Sequence, residues 1–168
     1  MYFVRTASER DVPAIRTLLR EAYLATYGPL HGAEKATALD AELNADDVIR
    51  QCVKDPAGEF LVADNGRELG GAAYACYSRS KPKSAQLVKL YVRPGLLRQG
   101  IGRDLFAEIE TCFPKAERMW LEVDGENAAA LAFYRAHGFA EAGTVSNCGG
   151  AHTGIAALVM EKTLEPAG

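Results

Sequence analysis

Hydrophobic spacing along the 168-residue chain switches between a period of two and a period of three to four, and each switch marks an element. Residues 2–6 read as a first strand. Val12, Ile15, Leu18, Leu19 and Ala22 then recur three and four apart, which predicts a helix to about Tyr27 with one stripe turned to a sheet. Ser8 and Asp11 offer a capping-box-like start and Pro13 fits the first turn, while Arg10, Arg16 and Arg20 fall outside the stripe and are expected to face water. Residues 28–44, with Pro29 and Gly32, show little periodicity and read as a long loop, after which a short helix resumes over 45–53. Strands are expected over 59–63 and 69–77, joined by a hairpin turn at Asp64-Asn65-Gly66-Arg67, and the meander continues into 86–92. A helix begins near Ile101, a buried strand covers 119–123, and after a turn at 124–126 a helix runs over 127–137 and stops at Gly138. Two closing strands, 139–145 and 155–163, are joined by a loop holding Cys148 and His152, and residues 166–168 are expected to fray.

The join between the strand 86–92 and the helix from Ile101 carries the first sign of chemistry. Arg93-Pro94-Gly95 stops the strand, and Ile101, Leu105, Phe106 and Ile109 then repeat at helical spacing, so Gly100 and Gly102 sit where the helix begins. Unpaired amides and the helix dipole at that point favour an anion, and glycine lets a diphosphate approach the backbone. Arg98 and Arg103 add positive charge. Two other phosphate loops fail: Gly100 is followed by Ile101 and Gly102 rather than Lys and Ser or Thr, and Leu105 stands where a dinucleotide fingerprint needs its third glycine. A solvent-exposed turn that merely caps a helix remains an equal alternative for this segment alone.

A second segment supplies context. The string Asn127-Ala-Ala-Ala-Leu-Ala-Phe133-Tyr134-Arg135-Ala136-His137-Gly138-Phe139 follows the buried strand. Together with Leu97-Arg98-Gln99-Gly100-Ile101-Gly102 it resembles the Gcn5-related N-acetyltransferase (GNAT) superfamily, whose coenzyme loop has the form [QR]-x-x-G-x-[GA] and whose later helix ends in F-Y-x-x-x-G-F. The resemblance covers roughly residues 58–163. It implies a single α/β (α+β) domain over residues 1–168, with a mixed, mostly antiparallel sheet of six to seven strands flanked by about four helices. It also implies transfer of acetyl from acetyl-CoA to a primary amine.

Several roles follow from that resemblance. The backbone of Leu90, Tyr91 and Val92 would receive the pantetheine arm, and an amide of Tyr91 or Val92 would polarise the thioester. Leu97, Arg98, Gln99, Gly100, Ile101, Gly102 and Arg103 would hold the diphosphate, with Asn127 and Phe133 also against the coenzyme. Tyr134 would protonate the leaving thiolate; without the motif it would read as an ordinary amphipathic helix residue. Tyr27 and His31, beside the connection that lines the acceptor pocket, become candidate substrate contacts, with ordinary surface positions the alternative. Two departures stand out. The leading Arg or Gln of the loop is Leu97, a loss worth roughly 1.5–3 kcal/mol of affinity that Arg98 would offset in part. The Glu often found two residues before the Leu-Tyr-Val of the fourth strand is Val88, so the usual base is missing. Glu122 is the best replacement, with His31 and His152 behind it, although a structural carboxylate that faces solvent or pairs with Lys89 is the more expected role for Glu122. An alkylamine with pKa near 10.4 is less than roughly one part in a thousand neutral at pH 7, so some base is needed.

Composition narrows the partners. An apolar content of 48% is that of a globular chain, and a net charge of −3 disfavours a nucleic-acid footprint. Cys52, Cys76, Cys112 and Cys148 are too far apart for a C-x-x-C site, no metal is expected, and the thiols read as buried and reduced. Neither a signal peptide nor a membrane-spanning stretch is evident, which places the chain in the cytoplasm. The expected acceptor is a small-molecule amine, with peptide or protein amines the alternative; no nucleic acid or membrane partner is expected, and a homodimer is compatible with the sequence. A catalytically silent acyl-CoA binding module stays open because of Val88 and Leu97.

Overall fold

The computed structural model describes residues 1–149 and 153–165. Its centre is a seven-stranded sheet formed by β1 (Phe3–Thr6), β2 (Gly58–Asp64), β3 (Leu69–Tyr77), β4 (Ser84–Val92), β5 (Arg118–Asp124), β6 (Ala140–Val145) and β7 (Ala157–Thr163). The strand order is β1-β2-β3-β4-β5-β7-β6, with every neighbouring pair antiparallel except β4 and β5. Five α-helices cover it: α1 (Val12–His31), α2 (Ala33–Leu43), α3 (Asp46–Lys54), α4 (Ile101–Ile109) and α5 (Ala128–Ala136). Leu105, Phe106 and Ile109 of α4 and Leu131 of α5 pack with Leu87, Leu121 and Val123 on one face. Val12, Ile15, Leu18 and Leu19 of α1 and Ile49 of α3 pack with Val62, Ala72 and Tyr74 on the other. Gly71 makes the close approach of α4 feasible, since a Cβ there would lie 2.8 Å from Ile101 and Leu105 and 3.0 Å from the Tyr91 carbonyl.

Two irregularities of β4 prepare the site. The parallel pairing with β5 holds only at Ser84, Ala85 and Gln86, opposite Arg118, Met119 and Trp120, after which the strands part. Across from β3, Ala75 pairs with Leu87 and Tyr74 with Lys89, so Val88 is the extra residue of a bulge. The bulge shifts the alternation by one. Ala85, Leu87, Leu90 and Val92 thus all face α4, and Tyr91 turns toward α1.

The segment 28–44, expected to be a loop, is helical. Helix α1 runs through Gly28 and Pro29 to His31, Gly32 turns the chain at φ +90°, and α2 follows at once. Ala36, Leu39, Asp40 and Leu43 do have helical spacing, but one of the four inward places is held by an aspartate, which hides the stripe. Asp40 is 1% exposed and is matched by Arg16, whose two nitrogens lie 3.2 and 3.0 Å from its oxygens. Arg16 therefore turns inward rather than to water. The network continues: Asn44 Nδ2 donates to Asp40 Oδ1 at 3.0 Å, and buried Lys89 Nζ donates to Asn44 Oδ1 at 2.7 Å and to the Leu43 carbonyl at 3.2 Å. Lys89 is thus committed to α2 rather than to Glu122.

Elsewhere the sequence expectations match the coordinates closely. Ser8 and Asp11 form the capping box, Gly66 takes φ +89° in the hairpin turn, and Gly138 takes φ +94° after α5. All four cysteines are free, and each is half-buried rather than enclosed in the core. Among the described residues no helix is long and apolar enough to cross a membrane.

Candidate coenzyme and acceptor site

Where β4 and β5 part, a cleft of about 1050 Å³ opens between them. Beyond Gln86 the β5-facing edge of β4 has no partner strand, so main-chain groups near Leu90, Tyr91 and Val92 are open to a ligand. Leu97, Arg98, Gly100, Ile101, Gly102 and Arg103 line one end, while Asn127, Phe133 and Tyr134 form a second wall. Glu122 and Tyr27 also reach the cleft. Of the residues singled out from sequence, Gln99 and His31 alone do not border it; His152 lies outside the described residues.

The loop before α4 has the backbone an anion requires. Arg98 and Gly100 take φ of +66° and +83°, and the first bond of the helix ladder runs from the Asp104 amide to the Gly100 carbonyl at 2.9 Å. The amides of Ile101, Gly102 and Arg103 therefore have no acceptor in the helix. Arg98 and Arg103 are exposed beside them, and Leu97 is 60% exposed, offering only an apolar surface where a charged side chain was wanted. Arg93 is not available to a phosphate, since its guanidinium donates to the Leu69 carbonyl at 2.8 and 3.1 Å and to Glu21 at 2.9 Å.

Helix α5 separates its aromatic side chains by role. Phe133 and Phe139 meet Phe106 at centroid distances of 6.3 and 5.8 Å, which docks α5 on α4. Tyr134, one residue on, borders the cleft, and its hydroxyl has no hydrogen-bond partner among the described residues. Burial, with Cys148 as a lesser neighbour, raises its pKa above the ordinary phenol value, so it stays protonated at any physiological pH. Asn127 caps the helix by accepting from the Ala130 amide at 3.2 Å.

Tyr27 and Tyr91 border the cleft from the side of α1, with further aromatic rings behind them. Tyr23, Tyr27 and His31 repeat every four residues along α1, with ring centroids 4.5 and 6.2 Å apart, and Tyr91 stands 6.4 Å from Tyr23. Burial pushes Tyr23 up to about 12 and raises Tyr27 and Tyr91 further, while Cys148 is pushed up to about 12 by burial and by Glu122 and Asp124. These groups are neutral at pH 7. Glu122 and Asp124 share the α1-facing side of β5 by strand alternation, opposite Leu121 and Val123. Glu122 accepts from the Gly149 amide at 3.3 Å, and Asp124 is taken up by His31. Tyr23, Asp124 and Cys148 were not foreseen. The four-residue spacing of Tyr23, Tyr27 and His31 was legible in the chain but was obscured by ending the first helix at Tyr27.

Residues 13–139 match the acetyltransferase (GNAT) family. N-alpha-acetyltransferase RimI of Mycobacterium tuberculosis is 30% identical over 118 residues, which span 66% of this chain and 74% of that protein. Among solved structures, the PaiA N-acetyltransferase of Thermoplasma acidophilum in complex with coenzyme A superposes with a TM-score of 0.81 at 21% identity, covering 97% of this chain and 99% of that one. A ribosomal-protein-alanine N-acetyltransferase of Brucella melitensis is 28% identical with a TM-score of 0.64, covering 96% and 99%. A parted β4–β5 pair, a glycine loop opening α4 and a phenol on α5 are thus found in a chain that belongs to the GNAT family of acyl-CoA-dependent N-acetyltransferases.

Proposed function

We propose that this enzyme transfers acetyl from acetyl-CoA to the α-amine at the N-terminus of a peptide or protein. The observation that carries this reading is the chemistry of the acceptor side, where Tyr27 and Tyr91 are neutral and, among the described residues, Glu122 and the exposed Glu126 are the carboxylates that border the cleft. An α-amine, with a pKa near 7.7–8.0, is roughly one tenth to one sixth neutral at pH 7, some two orders of magnitude more than a lysine side chain. Such an acceptor needs little help in losing its proton, which suits a chain with Val88 in place of the usual glutamate. The relatives named for acetylating protein α-amines point the same way. The small-molecule amine expected from the sequence stays as the alternative, since nourseothricin acetyltransferase is 28% identical over 66% of this chain with a TM-score of 0.59.

In this reading the free amides of Ile101, Gly102 and Arg103 bind the diphosphate, and the open edge of β4 takes the pantetheine arm. The amine attacks the thioester carbonyl carbon, and charge gathering on oxygen is met by an amide of Tyr91 or Val92. Collapse breaks the C–S bond as the Tyr134 hydroxyl protonates sulfur. The proton shed by the amine passes to Glu122 directly or through water, and from there it replaces the one that Tyr134 gave to sulfur, so both groups return to their starting states.

The test is a thiol-release assay with acetyl-CoA against peptides bearing free or blocked N-termini, lysine side chains, and small amines. Peptides with free α-amines are expected to turn over fastest; activity confined to small amines would reject the reading, and binding of acetyl-CoA without any turnover would favour a silent module. Glu122→Gln should lower kcat/KM by about 10- to 100-fold at pH 7, with a smaller loss at pH 9 because there the α-amine is already neutral. An equal loss at both pH values would remove Glu122 from proton transfer.

A further inference from the structure

The last turn of α1 contains Gly28, which favours the helix poorly, and Pro29, which has no amide to give the Ala25 carbonyl, and it ends at Gly32. Little within that turn explains why it is helical. What lies outside it does. His31 Nε2 is hydrogen-bonded to Asp124 Oδ2, and Nδ1 lies 3.8 Å from Glu126. Asp124 is 1% exposed and is itself fixed, since its other oxygen accepts from the Glu126 amide at 2.9 Å and its carbonyl accepts from the Asn127 amide at 3.0 Å. Asn127 in turn caps α5, and both it and Tyr27, four residues before His31, line the cleft. His31, Asp124 and Asn127 thus link the end of α1, which carries Tyr27, to the cap of α5.

We infer that His31 is a positioning residue, whose hydrogen bond to Asp124 holds the end of α1 helical and thereby places Tyr27 in the acceptor wall in register with the cap of α5. His31 does not border the cleft. The latch joins the two walls that must agree in spacing: α1, which carries Tyr27, and α5, which carries Tyr134. It should govern the acceptor more than the coenzyme, whose diphosphate loop is on α4. Only the kinetic part of the test rests on the peptide reading above.

The experiment compares wild type with His31→Ala and His31→Gln, the latter keeping an N–H donor at a reach near that of Nε2. Amide exchange over residues 24–32 is expected to quicken by about tenfold in the alanine variant and to stay within about threefold of wild type in the glutamine variant, with 104–109 unchanged in both. Calorimetry with acetyl-CoA should give dissociation constants within about twofold of wild type for both. For the best peptide of the panel, KM should rise about tenfold in the alanine variant with a smaller change in kcat, and glutamine should restore it. Unchanged exchange over 24–32 in the alanine variant, loss of protection throughout the chain, or a glutamine variant no better than alanine would each overturn the latch. If no peptide is acetylated, the peptide reading fails, and the exchange comparison decides the latch by itself.

Discussion

Tyr134→Phe is expected to lower kcat by roughly 100- to 10,000-fold, the range for removing a positioned general acid, while acetyl-CoA affinity stays within about threefold. The substitution deletes one hydroxyl and leaves the ring in place. That ring packs against Phe133 and Phe139, each at 5.5 Å between centroids, so α5 should stay docked and the melting temperature should move little. The hydroxyl has no protein partner among the described residues, so its removal strands no buried donor or acceptor. What is lost is a proton for the departing thiolate. A thiolate whose conjugate acid has a pKa near 8.5 can leave unaided, which sets a floor under the activity and argues for the lower half of the range with a good acceptor. Single-turnover measurements at saturating acetyl-CoA would separate this step from binding. A kcat within threefold of wild type would show that water, not Tyr134, protonates the sulfur.

Gly100→Val should instead weaken acetyl-CoA binding, by about 10- to 100-fold in dissociation constant, as expected for losing one or two charge-assisted hydrogen bonds offset by rearrangement. The reason is the backbone rather than the space. A Cβ at this position would meet only the Arg103 guanidinium, at 2.9 Å, and that side chain is exposed and can move. The φ of +83°, however, is one that a β-branched residue adopts at a cost of about 1–2 kcal/mol or more. Relief of that strain would rotate the peptide units that aim the Ile101 and Gly102 amides into the cleft. Calorimetry would read the change directly, with kcat at saturating acetyl-CoA reduced far less than the affinity. Unaltered affinity would mean that the diphosphate does not rest on this turn.

Both predictions stand on segments that could be read before any coordinates. The strand, glycine turn and helix around Gly100, and the F-Y-x-x-x-G-F end of α5, are short-range patterns in which each residue's role is fixed by near neighbours. Gly100 and Gly138 occur where a helix begins or ends with positive φ, and Phe133 on α5 and Phe139 just beyond it both pack into the core. The parting of β4 from β5 is different. It depends on where two strands remote in sequence stop pairing, and nothing within residues 84–92 or 118–124 marks Gln86 as the last partner.

Residues 28–44 show most clearly where local reasoning gave out. Gly28 and Pro29 together disfavour a helix by about 3–4 kcal/mol relative to alanine, and a reading confined to propensity ends α1 there. The chain overrides this preference through partners far away in sequence: His31 through Asp124, Asp40 through Arg16, and Asn44 through Lys89. With α1 extended, Tyr23, Tyr27 and His31 fall on one stripe, and Tyr27 is brought to the cleft.

The amino-acid sequence by itself determined the order of the strands and of every helix but α2, the loop of free amides before α4 and the phenol on α5, because spacing, glycine conformation and helix ends act over a few residues. Only the tertiary structure decided which strands part, which way Tyr91 turns beyond the Val88 bulge, and that Asp124 holds the end of α1, because sheet register and buried polar pairing join residues whose separation along the chain carries no local signal.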